Sequence, residues 1–267
     1  MSAEDGLFVD GAGRCFRSAE EMWASERSRV PGKDLWLRKG LDYWDTVSPT
    51  DDGVLGGYAV VSPEDLKGSK MFVSLLMRRC GKVSQQEGGS GGELRAIDIG
   101  AGVGRVVKGL LLAFFDHVVV AEPLAHFVEQ ARVNLAEFGD RCSFHQVEMQ
   151  ACPLQPASYD VIWIQWCLCY LQDDDLVEFL QNCAASLRPG SFICVKENVC
   201  IRNITMIVDA EDTSVTRSAV RYRAMFARAG LDVVEEINQV NWPKGLYPVY
   251  MWGLAPRAGT HDGTLPP

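Results

Sequence analysis

Hydrophobic and polar positions change their period along the chain, and the changes divide it. Residues 1–33 show no sustained period. They are expected to be a loosely ordered extension with one helix, Ser18 to Arg27, capped by Ser18 with Glu21 three residues on. From Asp34 to Val47, Leu35, Trp36, Lys39, Tyr43 and Trp44 recur at helical spacings. Gly53, Gly56 and Gly57 mark a turn. A second helix is expected from Pro63 to Cys80 with Ser62 as its cap. Residues 34–83 therefore read as a helical cap. The polar, glycine-rich stretch Ser84 to Gly92 reads as a loop.

Beyond that loop, apolar strands alternate with amphipathic helices. Strands are expected at Leu94–Ile99, Val118–Glu122, Cys142–Val147, Tyr159–Gln165, Ser191–Lys196, Leu231–Gln239 and Tyr247–Leu254. Helices are expected at Val103–Phe115, Ala125–Phe138, Asp173–Leu187 and Thr213–Ala229. This alternation predicts an α/β fold whose mostly parallel sheet is covered on both faces. The short connection Asn241–Gly245 predicts that the last two strands pair antiparallel. The core would span 94–257, the whole domain 34–257, and 258–267 a disordered tail.

Composition narrows the class. The chain has 267 residues, 47% hydrophobic and 23% charged, with a formal net charge of −9. That balance argues against tight nucleic-acid binding, which needs Lys and Arg to neutralise phosphates. No apolar run approaches the ~18–20 residues that span a bilayer, and no basic-then-apolar leader is visible. Nine cysteines stand without metal-ligand spacing, so no metal site is expected. They point to a reducing compartment, cytoplasmic or nuclear.

The candidate chemistry sits at Ile97-Asp98-Ile99-Gly100-Ala101-Gly102-Val103-Gly104-Arg105. A buried strand runs into glycines and then a helix, and Glu122 ends the next strand, where a carboxylate can accept from both ribose hydroxyls. A dinucleotide site asks for Gly-x-Gly-x-x-Gly, but Arg105 occupies the third glycine position. Asp-x-Gly-x-Gly-x-Gly instead resembles the first motif of class I S-adenosylmethionine-dependent methyltransferases. In that family the acidic residue and the loop hold the methionine end of the cofactor.

Further segments carry a closer resemblance. They are Tyr43-Trp44, Pro49 to Tyr58, Ser158 to Trp166, Ser186 to Pro189, Lys196 to Asn198, Asp212 to Arg217 and Leu246 to Tyr250. Over Leu35 to Leu254 the chain resembles the α-N-terminal protein methyltransferases. The family methylates protein N-termini reading X-Pro-Lys or X-Pro-Arg after loss of the initiator Met. The resemblance implies a seven-stranded Rossmann-like sheet with an antiparallel last strand, N-terminal helices and an inserted β-hairpin. It also implies an enzyme that uses S-adenosyl-L-methionine and releases S-adenosyl-L-homocysteine, with peptide N-termini as partners; a monomer is expected, with neither nucleic acid nor membrane.

Residue by residue, the resemblance puts Trp44, Gly100, Gly102, Gly104, Arg105, Glu122, Pro123, Met149, Gln150 and Gln165 around the cofactor. Arg105 would pair with its carboxylate, and Trp44 would close over it, anchor the cap core, or do both. Leu55, Gly56, Trp166, Leu246 and Tyr247 would take the substrate, with Leu55, Trp166 and Leu246 forming an apolar slot for Pro. Asn198 would hold a substrate carbonyl. Asp209, Asp212 and Ser214 would face the α-amine and the third residue, with Asp212, Asn198 and Tyr170 catalytic. Asp212 before Thr213 also suits a helix N-cap, but the match of its surroundings to the family favours the substrate role. Tyr170 stands where many relatives have histidine, and a phenol near pKa 10 is a poor base. The hairpin between Asn198 and Asp212 is expected to turn at Arg202-Asn203. A methyltransferase of small amines or lysine side chains, or a silent cofactor-binding adaptor, fits the same fold.

Overall fold

A computed structural model describes residues 6–82, 92–201 and 203–257. The expected tail at 258–267, Arg202 and nearly all of the Ser84–Gly92 loop lie outside them. The N-terminal part contains β1 (Leu7–Val9), β2 (Cys15–Phe16), α1 (Ala19–Arg29), α2 (Lys33–Asp45), α3 (Asp51–Val54) and α4 (Ser62–Arg79). The core supplies β3 (Arg95–Ile99), α5 (Arg105–Gly109), β4 (His117–Glu122), α6 (Ala125–Asn134), β5 (Cys142–Gln146) and β6 (Tyr159–Gln165). Then come α7 (Asp173–Ser186), β7 (Leu187–Asn198), β8 (Ile204–Val208), β9 (Val215–Arg217), α8 (Ala219–Arg228), β10 (Leu231–Asn238) and β11 (Val249–Pro256).

Seven strands form one sheet in the order β10-β11-β7-β6-β3-β4-β5. β11 runs antiparallel to both neighbours, and the β7-β6-β3-β4-β5 ladders are parallel. Alternate side chains serve opposite faces, as the pleat requires. Ile97, Ile99, Ile162 and Ile164 pack with Leu176 and Leu180 of α7 and Phe226 of α8. Ala96, Val118, Val161 and Trp163 pack with Phe72 and Leu76 of α4 and Val107 of α5. The chain leaves β3 on the β4 side and later returns to its other side as β6. The crevice at the carboxyl ends of β3 and β6 is thus a topological switch point, where open α/β sheets bind ligands.

The N-terminal segment departs from the expectation. Residues 7–29 are folded, not loosely ordered. β1 joins β2 and pairs parallel with β8 in a second sheet, β2-β1-β8-β9. Ser18 caps α1 by accepting from Glu21 N at 3.2 Å, as expected. The helix buries Met22 and Trp23 in a cluster with Phe8, Trp36, Met206, Val208 and Val215. The segment lacks a period of its own because its apolar partners come from β8 and β9.

Four local expectations are also corrected. The hairpin is β8 and β9, turning across 209–214 beyond Ile204. Residues 215–217 are a strand, and α8 starts later with Ser218 as its cap, accepting from Arg221 N at 3.2 Å. Asp212 is therefore not a helix cap. Ser62 lies inside α4, whose start has no side-chain cap. The expected helix Val103–Phe115 shortens to α5 and one 3-10 turn, Leu111–Ala113, because Leu110 leaves helical geometry.

Trp36 ties the N-terminal cluster to the core. It is 1% exposed and meets Trp23 edge-on at 5.5 Å. Its Nε1 donates to Tyr170 O at 3.0 Å, and its carbonyl accepts from Thr213 Oγ1 at 3.1 Å. Trp36→Ala is expected to destabilise the protein by about 3–5 kcal/mol in equilibrium urea unfolding. A loss below about 1 kcal/mol would place the cluster outside the cooperative fold.

Candidate active site

Backbone geometry explains the glycines. Gly100, Gly102 and Gly104 take φ of 69°, 55° and 79°, the left-handed region open to glycine at no steric cost. A Cβ on Gly100 would stand 2.9 Å from Cys167 Cβ. The loop is fixed by Gly100 N and Ala101 N donating to Ala121 O at 2.9 and 3.1 Å. Glu122 completes it, accepting from Gly102 N at 2.8 Å and Leu124 N at 3.0 Å. Each carboxylate oxygen keeps a further lone pair. Burial pushes the Glu122 pKa up to about 7 against the pull of those two amides.

Asp98, at the end of β3, is more deeply buried, and burial raises its pKa to about 8. Its Oδ2 has no hydrogen-bond partner among the described residues. A buried carboxyl oxygen without a donor is rare in folded proteins and marks a place for a ligand's N–H or cation.

These groups open onto one cavity of about 1100 Å³, its mouth included. It gathers Trp44, Gly100, Gly102, Arg105, Glu122, Pro123, Met149, Gln150, Gln165, Trp166 and Tyr170. Gly104 shapes the loop as the residue before α5 and does not line the cavity. Leu37, Gly40 and Leu41 of α2, Val54 and Phe127 complete the apolar wall. Leu37, Leu41 and Trp44 follow the i, i+4, i+7 spacing of a helix face. That stripe marks them in the sequence; of the helical positions singled out above, Trp44 lies on it while Leu35, Trp36, Lys39 and Tyr43 do not. Asp65 of α4 was missed as well. It is fully buried and accepts from Arg105 Nη1 at 2.8 Å and Gln165 Nε2 at 2.9 Å.

A hydrogen-bonded chain leaves the cavity toward the β8–β9 turn. Trp44 Nε1 donates to Tyr170 Oη at 2.6 Å, and Tyr170 Oη donates to Asp212 Oδ2 at 2.8 Å. Asp212 Oδ1 accepts from Ser214 N at 2.8 Å. Gly40 lets the Tyr170 ring approach: a Cβ there would lie 2.9 Å from its Cδ1. Burial drives the Tyr170 pKa well above its ordinary value, and the Asp212 carboxylate it bonds adds to this.

The other residues expected at the substrate side are more scattered. Trp166 lines the cavity at φ 55°, unusual for a bulky residue, with its N donating to Lys196 O at 3.0 Å. Its ring neighbour is Trp242, with centroids 6.3 Å apart. Leu55 and Leu246 do not line this cavity, so the three-residue Pro slot is not assembled around it. Leu55 is buried after Val54, Leu246 is half-buried, and Gly56 and Tyr247 are exposed. Asn198 ends β7 half-buried. Asp209 is exposed, and its Oδ1 accepts from Glu211 N at 2.7 Å.

Comparison with known proteins agrees with this geometry. Residues 32–255 match the family described as AdoMet dependent proline di-methyltransferase. An alpha N-terminal protein methyltransferase 1 from Arabidopsis thaliana is 36% identical over 92% of this chain and 90% of its own. An N-terminal Xaa-Pro-Lys N-methyltransferase 1 from Danio rerio is 40% identical over 79% and 92%. A solved SAM-dependent methyltransferase from Leishmania major superposes with a TM-score of 0.80. It is 36% identical, with 94% of this chain and 96% of that one covered. An Asp-x-Gly-x-Gly-x-Gly loop at the switch point of a seven-stranded sheet, and likeness over nearly the whole length, lead to one conclusion: the chain belongs to the AdoMet-dependent proline di-methyltransferase family.

Proposed function

We propose that this chain transfers methyl groups from S-adenosylmethionine to the α-amino group of protein N-termini reading Xaa-Pro-Lys or Xaa-Pro-Arg. The observation that carries the reading is the Trp44–Tyr170–Asp212 chain, which joins the cavity wall to a carboxylate on the β8–β9 turn. The names of the relatives support the substrate class.

The residues present fit the cofactor. At Gly100 and Gly102 the left-handed turn presents bare backbone to the cavity, Asp98 Oδ2 is free to accept from an ammonium, and Arg105 offers a guanidinium to a carboxylate. The free lone pairs of Glu122 suit two ribose hydroxyls. Met149 and Gln150 border the cavity beside Phe127 and Leu124, where a flat purine gains from apolar contact. When bound, the cofactor supplies an electrophilic methyl on sulfonium.

The amine that receives it must be neutral and aligned. A free α-amine with pKa of about 7.7–8.0 needs only a modest acceptor. Asp212 takes that proton directly or through water. Tyr170, kept neutral by burial, orients Asp212. Asn198, at the end of β7, holds a substrate carbonyl. Asp209 lies on the same turn as Asp212 and faces the third residue.

Mass spectrometry of an X-Pro-Lys hexapeptide incubated with the protein and S-adenosylmethionine tests the reading. Methylation of the N-terminal fragment is expected. Methylation confined to the lysine side chain, or none, would overturn it in favour of a side-chain enzyme or an adaptor. Isothermal titration is expected to show S-adenosylhomocysteine binding and no NAD binding, and the reverse would sink the cofactor assignment. We further infer a monomer working in a reducing cytoplasmic or nuclear compartment without nucleic acid. The nine free cysteines support the compartment, and the net charge of −9 supports the absence of nucleic acid. Sedimentation and fractionation check it.

A further inference from the structure

Behind Arg105 lies a buried ionic cluster that the proposed reaction does not by itself require. Lys196 of β7 and Asp65 of α4 are both wholly buried. Lys196 Nζ sits 2.6 Å from Asp65 Oδ1 and donates to Asp65 O at 3.0 Å, Ser69 Oγ at 2.9 Å and Gln239 Oε1 at 2.8 Å. Four acceptors around one nitrogen call for the three donors of an ammonium, so this lysine is charged. The other oxygen of Asp65 takes Arg105 Nη1 at 2.8 Å. Burial alone would raise the Asp65 pKa, but the Lys196 and Arg105 charges outweigh it and hold the group below its ordinary value.

One carboxylate thus serves two cations. Arg105 is held in place, yet the cluster keeps one positive charge unmatched. Only Arg105 of the three lines the cavity. Three other carboxyls line the cavity and none is hydrogen-bonded to Arg105: burial raises the pKa of Asp98 and Glu122, in Asp98 against the pull of the Arg105 charge, and Glu148 Oε2 takes Gln150 Nε2 at 2.6 Å. An unmatched buried charge costs stability unless a partner arrives.

We propose that Lys196 is a positioning residue for cofactor binding: by sharing Asp65 it leaves Arg105 oriented but electrically open, so that the ligand's carboxylate becomes the cluster's second anion. The proposal rests on the reading that this carboxylate sits on Arg105. Without the Lys196 charge, Asp65 would match Arg105 alone, and the ligand's carboxylate would meet a neutral pair.

Two ligands separate this role from a structural one. S-adenosylhomocysteine carries the amino-acid end, and 5′-methylthioadenosine has the same nucleoside and thioether without it. In titration calorimetry on the full chain, Lys196→Gln is expected to weaken S-adenosylhomocysteine about tenfold or more and methylthioadenosine less than about twofold. Adding Asp65→Asn removes the competing anion and is expected to bring S-adenosylhomocysteine back to within about threefold of the parent. A packing defect would weaken both ligands alike and would worsen in the double variant, and either result overturns the proposal. If Lys196→Gln alone does not fold, the double variant carries the test. Selective loss of S-adenosylhomocysteine in it refutes the charge argument, and parent-like binding supports it. Arg105→Met is the control. If it weakens only S-adenosylhomocysteine while Lys196→Gln changes nothing, this inference falls and the Arg105 reading stands. If it spares both ligands, the Arg105 reading itself falls.

Discussion

Asp212→Asn is expected to lower turnover by about 10²–10³-fold and to leave S-adenosylhomocysteine affinity within about twofold of the parent. The direction of the hydrogen bonds is the reason. Trp44 Nε1 can only donate, so Tyr170 Oη accepts from it and sends its single proton to Asp212 Oδ2. Ser214 N–H occupies the other oxygen. Asp212 is thus an acceptor on both sides. An asparagine amide would turn an N–H against one of these donors and would hold no proton from the amine. No helix is lost with the charge, because α8 is capped by Ser218. Asp212 does not line the cavity, which is why cofactor affinity should survive. Tyr170→Phe, which frees the carboxylate to turn, should cost turnover about tenfold. Steady-state kinetics beside calorimetry separates the two effects. Equal losses in both, or unchanged turnover, would make Asp212 only a brace for the 209–214 turn.

What the sequence made legible is what short-range geometry dictates. Gly100, Gly102 and Gly104 stand where the chain needs positive φ, and that need shows in the residue types themselves. Strand periods located β3, β4 and β6, which carry Asp98, Glu122 and Gln165 at or near their carboxyl ends. Groups whose meaning depends on a distant partner were not legible. Asp65 looks like one more acid in the first turn of an amphipathic helix, and only the packing of α4 on β7 turns it inward to Lys196. Phe8 and Met22 have no visible purpose until β8 supplies Met206 and Val208. Thr213 reads as a helix start. The structure holds it at φ 64° with its hydroxyl on Trp36 O, and the chain enters β9 instead. The residues expected at the substrate side came only from the resemblance, and of them the cavity gathers Trp166 alone, while Leu55, Gly56, Asn198, Asp209, Asp212, Ser214, Leu246 and Tyr247 lie off it.

Replacing the substrate Pro with Ala is expected to cut kcat/KM at least tenfold, and replacing the third-position Lys with Glu should cut it further. The two losses have different physics. Proline carries two more ring carbons than alanine, and at about 0.8 kcal/mol per buried methylene these are worth roughly tenfold in binding. Its fixed φ also reduces the freedom lost on docking. The apolar contacts at hand are Trp166, which lines the cavity, and its ring neighbour Trp242. The lysine preference is electrostatic. Asp209 and Glu211 are exposed and Asp212 half-buried on one turn, so a cation is attracted there and a carboxylate repelled. Because Asp209 is exposed, its share is screened by salt, as surface pairs are. Raising ionic strength from low to molar should therefore shrink the Lys-over-Glu ratio several-fold and leave the Pro-over-Ala ratio nearly unchanged. Kinetics on four peptides differing only at these positions, at two salt concentrations, reads both ratios. Peptides with Ala or Glu that are methylated as fast as the parent would remove the N-terminal assignment and move a small amine or lysine side chain ahead as substrate.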